Sequence, residues 1–391
     1  MLNYDNILND TITEIQPSGI RKFFDIAASM DDVISLGVGE PDFETPWKIR
    51  NSAIKSLERG KTGYSSNRGL AELRSEISKY LIRKYGLEYN PDKEILVTVG
   101  GSEAIDAAIR SVVNPGDEVI VPQPSYVCYV PMIRMAGGIP VITENKEEND
   151  FKLKADELRE KITDKTKAII LPYPSNPTGA IMEKRDFEEI EEVIKDTEII
   201  LISDEIYAEL TFNGKHHVSP ACVGNLKERT VVVNGFSKAF SMTGWRLGYT
   251  CGPEPIISQI TKLHQFAIMC APTTSQYAAI TALRDCDTDV EHMMEEYNTR
   301  RKIMVKGFND IGLECREPEG AFYAFPSIKS TGLSSGEFCE KLLESQRVAL
   351  VPGTAFGESG EGYVRASYCY GTDHIKEAIR RTGVFLKELG L

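Results

Sequence analysis

The chain has 391 residues, 41% of them hydrophobic, enough to bury a substantial core in two or three structural units. Its formal net charge of -13, without a long block of Lys or Arg, removes the attraction on which nucleic-acid binding depends, so no nucleic-acid partner is expected. Eight scattered cysteines without a CxxC pair exclude a disulfide framework and a zinc site; with no signal-peptide pattern in MLNYDNILND and no apolar run near ~20 residues, a cytoplasmic protein without a membrane segment is expected.

In chain order, residues 71–85 carry Leu73, Ile77, Tyr80, Leu81 and Tyr85 at helical spacing. An apolar run at 95–99 leads into Gly100, Gly101, Ser102 and Glu103 and a helical pattern that stops at Asn114, Pro115 and Gly116. Further β-rich runs lie at 118–121, 168–171, 199–202 and 230–233, and residues 186–195 place Phe187, Ile190, Val193 and Ile194 on one helical stripe. Continuous apolar strands alternating with helices predict an α/β fold with a mostly parallel sheet flanked by helices. After about residue 285 a charged helix at 291–308 precedes shorter strands at 321–325, 348–351 and 363–370 and a helix from about Asp373, which predicts a smaller α+β domain packed against the first.

Ligands of open parallel sheets bind outside the carboxyl ends of the strands, so the residues after each run are the candidates. Gly100, Gly101 and Ser102 at a helix start offer free N-H groups and a hydroxyl to a phosphate, or are a plain helix start. Tyr126, after the run ending at Val121, can stack on a flat ring or serve as an ordinary core aromatic. Asn176 is the polar tip of the proline-rich loop 172–179, which also reads as a simple turn. Asp204 stands at the end of a buried strand, where an ionised carboxylate requires a cationic partner. Lys238, close after the run 230–233, is placed for a lowered pKa and attack on a carbonyl, or is a solvated loop charge.

Residues 235–248 decide among these readings, because Ser237-Lys238, Thr243-Gly244-Trp245-Arg246 and Leu247-Gly248 resemble the pyridoxal-phosphate lysine signature of class I and II aminotransferases. The resemblance begins at Gly39-Glu40-Pro41-Asp42-Phe43-Glu44-Thr45-Pro46, continues through 64–74, Asn176-Pro177-Thr178-Gly179 and 204–207, and ends near Arg365. It implies a fold type I pyridoxal 5'-phosphate (PLP) enzyme with a large domain at 48–285, a small domain made of 1–47 and 286–391, and a homodimer with shared active sites. Residue by residue, Lys238 resembles the Schiff-base lysine and proton carrier, Asp204 the partner of the pyridinium nitrogen, and Tyr207 and Asn176 the hydrogen-bonding pair on the phenolic oxygen. Tyr126 resembles the residue stacked on the ring, Gly101, Ser102, Ser237 and Arg246 the phosphate cup, and Tyr64 the tyrosine that reaches the phosphate from the partner subunit. Arg365 resembles the arginine that grips the substrate α-carboxylate, helped by the Gly39 backbone. Gly235 stands where some members carry a phosphate-binding hydroxyl, a departure that bears on the role of Ser237.

The implied reaction is ping-pong transfer of an amino group from an L-amino acid (aspartate, aromatic or related) to a 2-oxo acid such as 2-oxoglutarate. The rival on the same architecture is a carbon-sulfur lyase or other α/β-elimination enzyme. A PLP-binding regulator would carry a DNA-binding domain ahead of the match, and a nucleotide-binding dehydrogenase would need a GxGxxG after an early strand, which is absent from the sequence. A residue for a distal substrate carboxylate is not identifiable from the sequence.

Overall fold

Beyond a two-residue strand β1 (Ile34–Ser35), seven strands make one sheet: β2 (Ile95–Thr98), β3 (Glu118–Gln123), β4 (Ile139–Glu144), β5 (Thr166–Leu171), β6 (Ile200–Asp204), β7 (Thr230–Gly235) and β8 (Gly248–Cys251). This computed structural model describes residue 2, residues 7–17 and residues 30–391. The spatial order is β2-β8-β7-β6-β5-β3-β4. All pairings are parallel except those of β8, which runs antiparallel between β2 and β7. Strands β2, β6, β7 and β8 are buried almost throughout because helices cover both faces, and this explains the apolar runs of β2, β6 and β7.

Five of these strands coincide with the apolar runs of the sequence, and the other two have weaker signatures. At the sheet edge, β4 is mostly exposed or half-buried and carries Pro140, as an edge strand can. The four residues of β8 are Gly248, Tyr249, Thr250 and Cys251, too short and mixed to show a run.

The helix expected over 71–85 spans Ala71–Tyr85 and ends on Gly86, whose φ of 69° is the left-handed cap that glycine adopts without strain. The helix expected from Asp186 begins at Lys184 instead. Glu183 and Asp186 form a reciprocal capping box, with the Glu183 N-H donating to Asp186 Oδ2 at 2.8 Å, so Asp186 is the third helical residue rather than the first. Helix Gly100–Val112 follows β2 directly and points its N-terminus along the carboxyl ends of the neighbouring strands.

The C-terminal part contains helices Asp287–Asp310, Ser335–Gln346 and Thr372–Glu388 and short strands β9 (Tyr323–Ala324), β10 (Val348–Ala349), β11 (Val351–Pro352) and β12 (Val364–Ser367). The run 348–351 divides at Leu350: β10 pairs in parallel with β1, Ile34 opposite Val348, whereas β11 joins the antiparallel sheet β11-β12-β9. Strand β9 is shorter than the expected 321–325 because Ala321 takes a positive φ of 57°, outside the extended region. The N-terminal segment is stitched in further by Ser367 N-H donating to Leu36 O at 2.7 Å.

Candidate active site

The carboxyl ends of β5, β6 and β7, the start of helix Gly100–Val112 and the strands β9 and β12 surround one cavity of about 350 Å³. Gly39, Gly101, Ser102, Tyr126, Asn176, Asp204, Tyr207, Ser237, Lys238, Arg246 and Arg365 all line it. These are the residues singled out from the sequence, with one exception: Tyr64 is 84% exposed and lies outside this cavity.

Lys238 follows β7 by one turn and donates from Nζ to Gly39 O at 2.7 Å. Burial lowers its pKa to about 8, against the pull of Cys369 and Glu40, so the neutral amine is accessible near neutrality. Asp204 ends β6 and is 7% exposed. Tyr129 donates its hydroxyl to Asp204 Oδ2 at 2.7 Å and the Ile206 N-H reaches Oδ1 at 3.2 Å, but among the described residues no cation lies within ion-pair distance. Burial therefore raises the Asp204 pKa to about 6, with the two hydrogen bonds and Lys238 opposing it. A buried acid and a buried base, each pushed toward neutrality, face one cavity.

Arg365 on β12 is 3% exposed. One terminal nitrogen donates to Asn176 Oδ1 at 2.8 Å and the other to Gly37 O at 2.5 Å, and the guanidinium carbon lies 4.4 Å from the Tyr323 ring centre and 4.7 Å from that of Phe356. Its Nε is buried without a partner, and the side chain forms no ion pair with a described carboxylate, so a positive fork is held ready for an anion.

At the opposite end, helix Gly100–Val112 starts without a side-chain cap, which leaves its first N-H groups free beside Ser102 and Ser237. The backbones crowd here. A Cβ on Gly248 would stand 2.7 Å from Gly100 C and 2.8 Å from Gly101 N, and one on Gly100 would stand 2.9 Å from Arg246 Nη2. Arg246 itself has a φ of 50°, a left-handed backbone that turns its guanidinium toward the helix start. Tyr126 sits between these ends, edge-on to Tyr129 with ring centres 6.0 Å apart, and burial pushes its pKa up to about 12.

Tyr207 shares a hydrogen bond of 2.8 Å with the Tyr323 hydroxyl, and burial, then Tyr323, raises its pKa well above the ordinary phenol value. Tyr129, Tyr323 and Thr243 also line the cavity and were not singled out from the sequence. Tyr129 opens a short helix three residues after Tyr126, which lies in the loop before it. Tyr323 was visible only as a member of the strand run at 321–325.

Comparison with known proteins fits this geometry to a family. The family described as aminotransferase class I and II matches residues 31–381. The chain belongs to the class I and II aminotransferases. YugH of Bacillus subtilis (strain 168), described only provisionally as an aminotransferase, is 51% identical over 97% of this chain and 98% of its own. An aspartate aminotransferase of Pyrococcus abyssi is 46% identical over 97% of this chain and 98% of its own. The crystal structure of an aromatic aminotransferase from Pyrococcus horikoshii superposes with a TM-score of 0.90 at 43% identity, covering 95% of this chain and 99% of that one.

As an aminotransferase of this family, the protein is a PLP-dependent transaminase with the fold type I architecture. Its cavity fits that cofactor on the structure's own terms. The uncapped helix start with Arg246 suits a phosphate, the buried Asp204 lacks the cation that a pyridinium would provide, and the amine of Lys238 is available to an aldehyde. No helix of the described residues is long and apolar enough to cross a membrane.

Proposed function

We propose that this aminotransferase moves an amino group from an L-amino acid of the aspartate, aromatic or related class to a 2-oxo acid such as 2-oxoglutarate, in two half-reactions at one site. The observation that carries the reading is that one cavity holds both Asp204, a buried carboxyl without a cationic partner among the described residues, and Lys238, a buried amine whose pKa is lowered to about 8. When bound, PLP supplies an aldehyde for covalent attachment and a ring that accepts electron density from the substrate Cα.

The residues divide the remaining work. Lys238 Nζ would hold the cofactor through its aldehyde, and as a neutral amine it would take the substrate Cα proton and return it. Asp204 keeps a proton on the ring nitrogen, and its own charge is held in place by Tyr129 and the Ile206 N-H. Tyr207 and Asn176 donate to the phenolic oxygen, and Tyr126 covers the ring. Gly101, Ser102, Ser237 and Arg246 hold the phosphate, with Arg246 its main anchor because Gly235 offers no hydroxyl. Arg365 orients the substrate through its α-carboxylate, with Gly39 beside it.

The substrate class rests on the relatives named for aspartate and aromatic amino acids. A two-domain division at 48–285 against 1–47 with 286–391 is supported by the pairing of β1 with β10. A homodimer is supported by large aromatic side chains left exposed on the single chain, Tyr64 at 84% and Phe266 at 88%. In that dimer Tyr64 reaches the phosphate of the neighbouring site. A cytoplasmic location suits the eight free thiols.

The test is a half-reaction. Holoenzyme mixed with L-glutamate should convert to the pyridoxamine form with one equivalent of 2-oxoglutarate, and borohydride should trap the cofactor on the Lys238 peptide. Failure to accumulate the pyridoxamine form with L-glutamate, together with release of ammonia and a thiol from a cysteine conjugate that carries a β leaving group, would instead establish an eliminating lyase.

A further inference from the structure

Tyr323 makes contact with three functional groups that come from separate parts of the chain. It is 2% exposed, stands on β9 and is paired with Ser367 of β12, so Arg365, two residues earlier on that strand, shares its face of the sheet. Its ring lies 4.4 Å below the Arg365 guanidinium. Its hydroxyl is 2.8 Å from the Tyr207 hydroxyl. The Gly39 backbone packs on the same oxygen, so closely that a Cβ at position 39 would stand 1.9 Å from it, and Gly39 O accepts from Lys238 Nζ at 2.7 Å.

The Tyr207–Tyr323 bond can run in either direction while both hydroxyls are free. Once Tyr207 donates to the phenolic oxygen of the cofactor, its one proton is committed, and Tyr323 must donate to Tyr207. We propose that Tyr323 is a positioning residue that works in two ways. Its hydroxyl sets the donor strength of Tyr207 through a two-tyrosine relay, and its ring holds Arg365 in the orientation that takes the α-carboxylate. The inference rests on the assignment of Tyr207 to the phenolic oxygen. Chained donors polarise one another, so the far hydroxyl makes the near one a better donor and stabilises the deprotonated form of the Lys238-bound cofactor.

Tyr323→Phe removes the relay proton and keeps the ring, whereas Tyr323→Leu removes both. The readout is the pH midpoint of the visible absorbance change of the Lys238-bound cofactor, followed without substrate, together with KM for the amino donor. In Tyr323→Phe the midpoint should rise by about half a pH unit, with KM within about twofold of wild type. In Tyr323→Leu, KM should also rise by about tenfold as Arg365 loses its aromatic face. Tyr207→Phe should raise the midpoint further, and adding Tyr323→Phe to it should move the midpoint no more, since the relay is already cut. If Tyr207→Phe leaves the midpoint in place, the assignment of Tyr207 is wrong. If Tyr207→Phe moves it and Tyr323→Phe does not, or if the two shifts add in full, the relay is refuted. Equal KM values for the Phe and Leu variants would refute the role of the ring.

Discussion

Replacing Asp204 with asparagine removes the charge but keeps the shape and an oxygen that can still accept from Tyr129. Burial lifts the carboxyl pKa from an ordinary 3.8 to about 6 in the cofactor-free protein. The folded protein then holds this proton more tightly than the unfolded chain does. Wild-type stability is accordingly intact below about pH 3.8 and declines as pH rises through about 6. A shift of about two units corresponds to about 3 kcal/mol at neutral pH, of which about 2 kcal/mol develops between about pH 4.5 and pH 8. Asp204→Asn lacks this group, so in urea unfolding of cofactor-free protein at one concentration it should be the more stable by a margin that grows by that amount over the interval. Comparing the two pH values cancels whatever the substitution does to packing. Turnover with PLP should meanwhile fall by roughly 10³-fold, because the charge facing the ring nitrogen is gone. A stability difference that stays flat from pH 4.5 to pH 8 would falsify the claim that Asp204 is held at a folding cost for the sake of the cofactor.

Four further substitutions probe the cavity and the backbone beside it. Tyr129→Phe removes a donor from the Asp204 carboxylate; the stability decline described above should move up by about one pH unit, and kcat should drop by about tenfold, whereas an unchanged pH profile would show that the hydrogen bond is idle. Arg365→Lys keeps a charge but loses the fork bonded to Asn176 and Gly37; KM for the amino donor should rise by about a hundredfold while PLP affinity, read from absorbance on dilution, stays put. Gly248→Ala drives a methyl into the backbone of Gly100 and Gly101, whereas Gly244→Ala meets open space. The first should destabilise the protein by about 2 kcal/mol and weaken PLP binding, and the second should do neither; similar behaviour of the two would mean that the contact at the helix start is not tight.

The parts of this site that were legible in the sequence share one cause. A parallel sheet delivers its ligand-facing residues directly after apolar runs, so Asp204 at the end of β6 and Lys238 after β7 announce themselves by position. Arg365 and Tyr64 had no such signal and were placed by resemblance alone; Arg365 lines the cavity, and Tyr64 is exposed outside it. Tyr129 and Tyr323 were hidden because each lies inside a regular element, where a tyrosine reads as a half-apolar packing residue until its hydroxyl partner is known. The same limit applies to β8, whose four residues owe their strand conformation to pairing with β7 and with β2, the latter far away in sequence.

The division of the run 348–351 at Leu350 has a consequence for how the enzyme is made. Ile34 finds its partner Val348 only after roughly three hundred further residues have been synthesised, and the carbonyls of Gly37 and Gly39 that meet Arg365 and Lys238 come just after that strand. A nascent chain can therefore complete the seven-stranded sheet, with Asp204 at the end of one strand and Lys238 just after another, well before the wall that closes over them exists. The substrate grip of Arg365, bonded to the Gly37 carbonyl, can form only after the C-terminal strands have emerged and met the segment around Ile34.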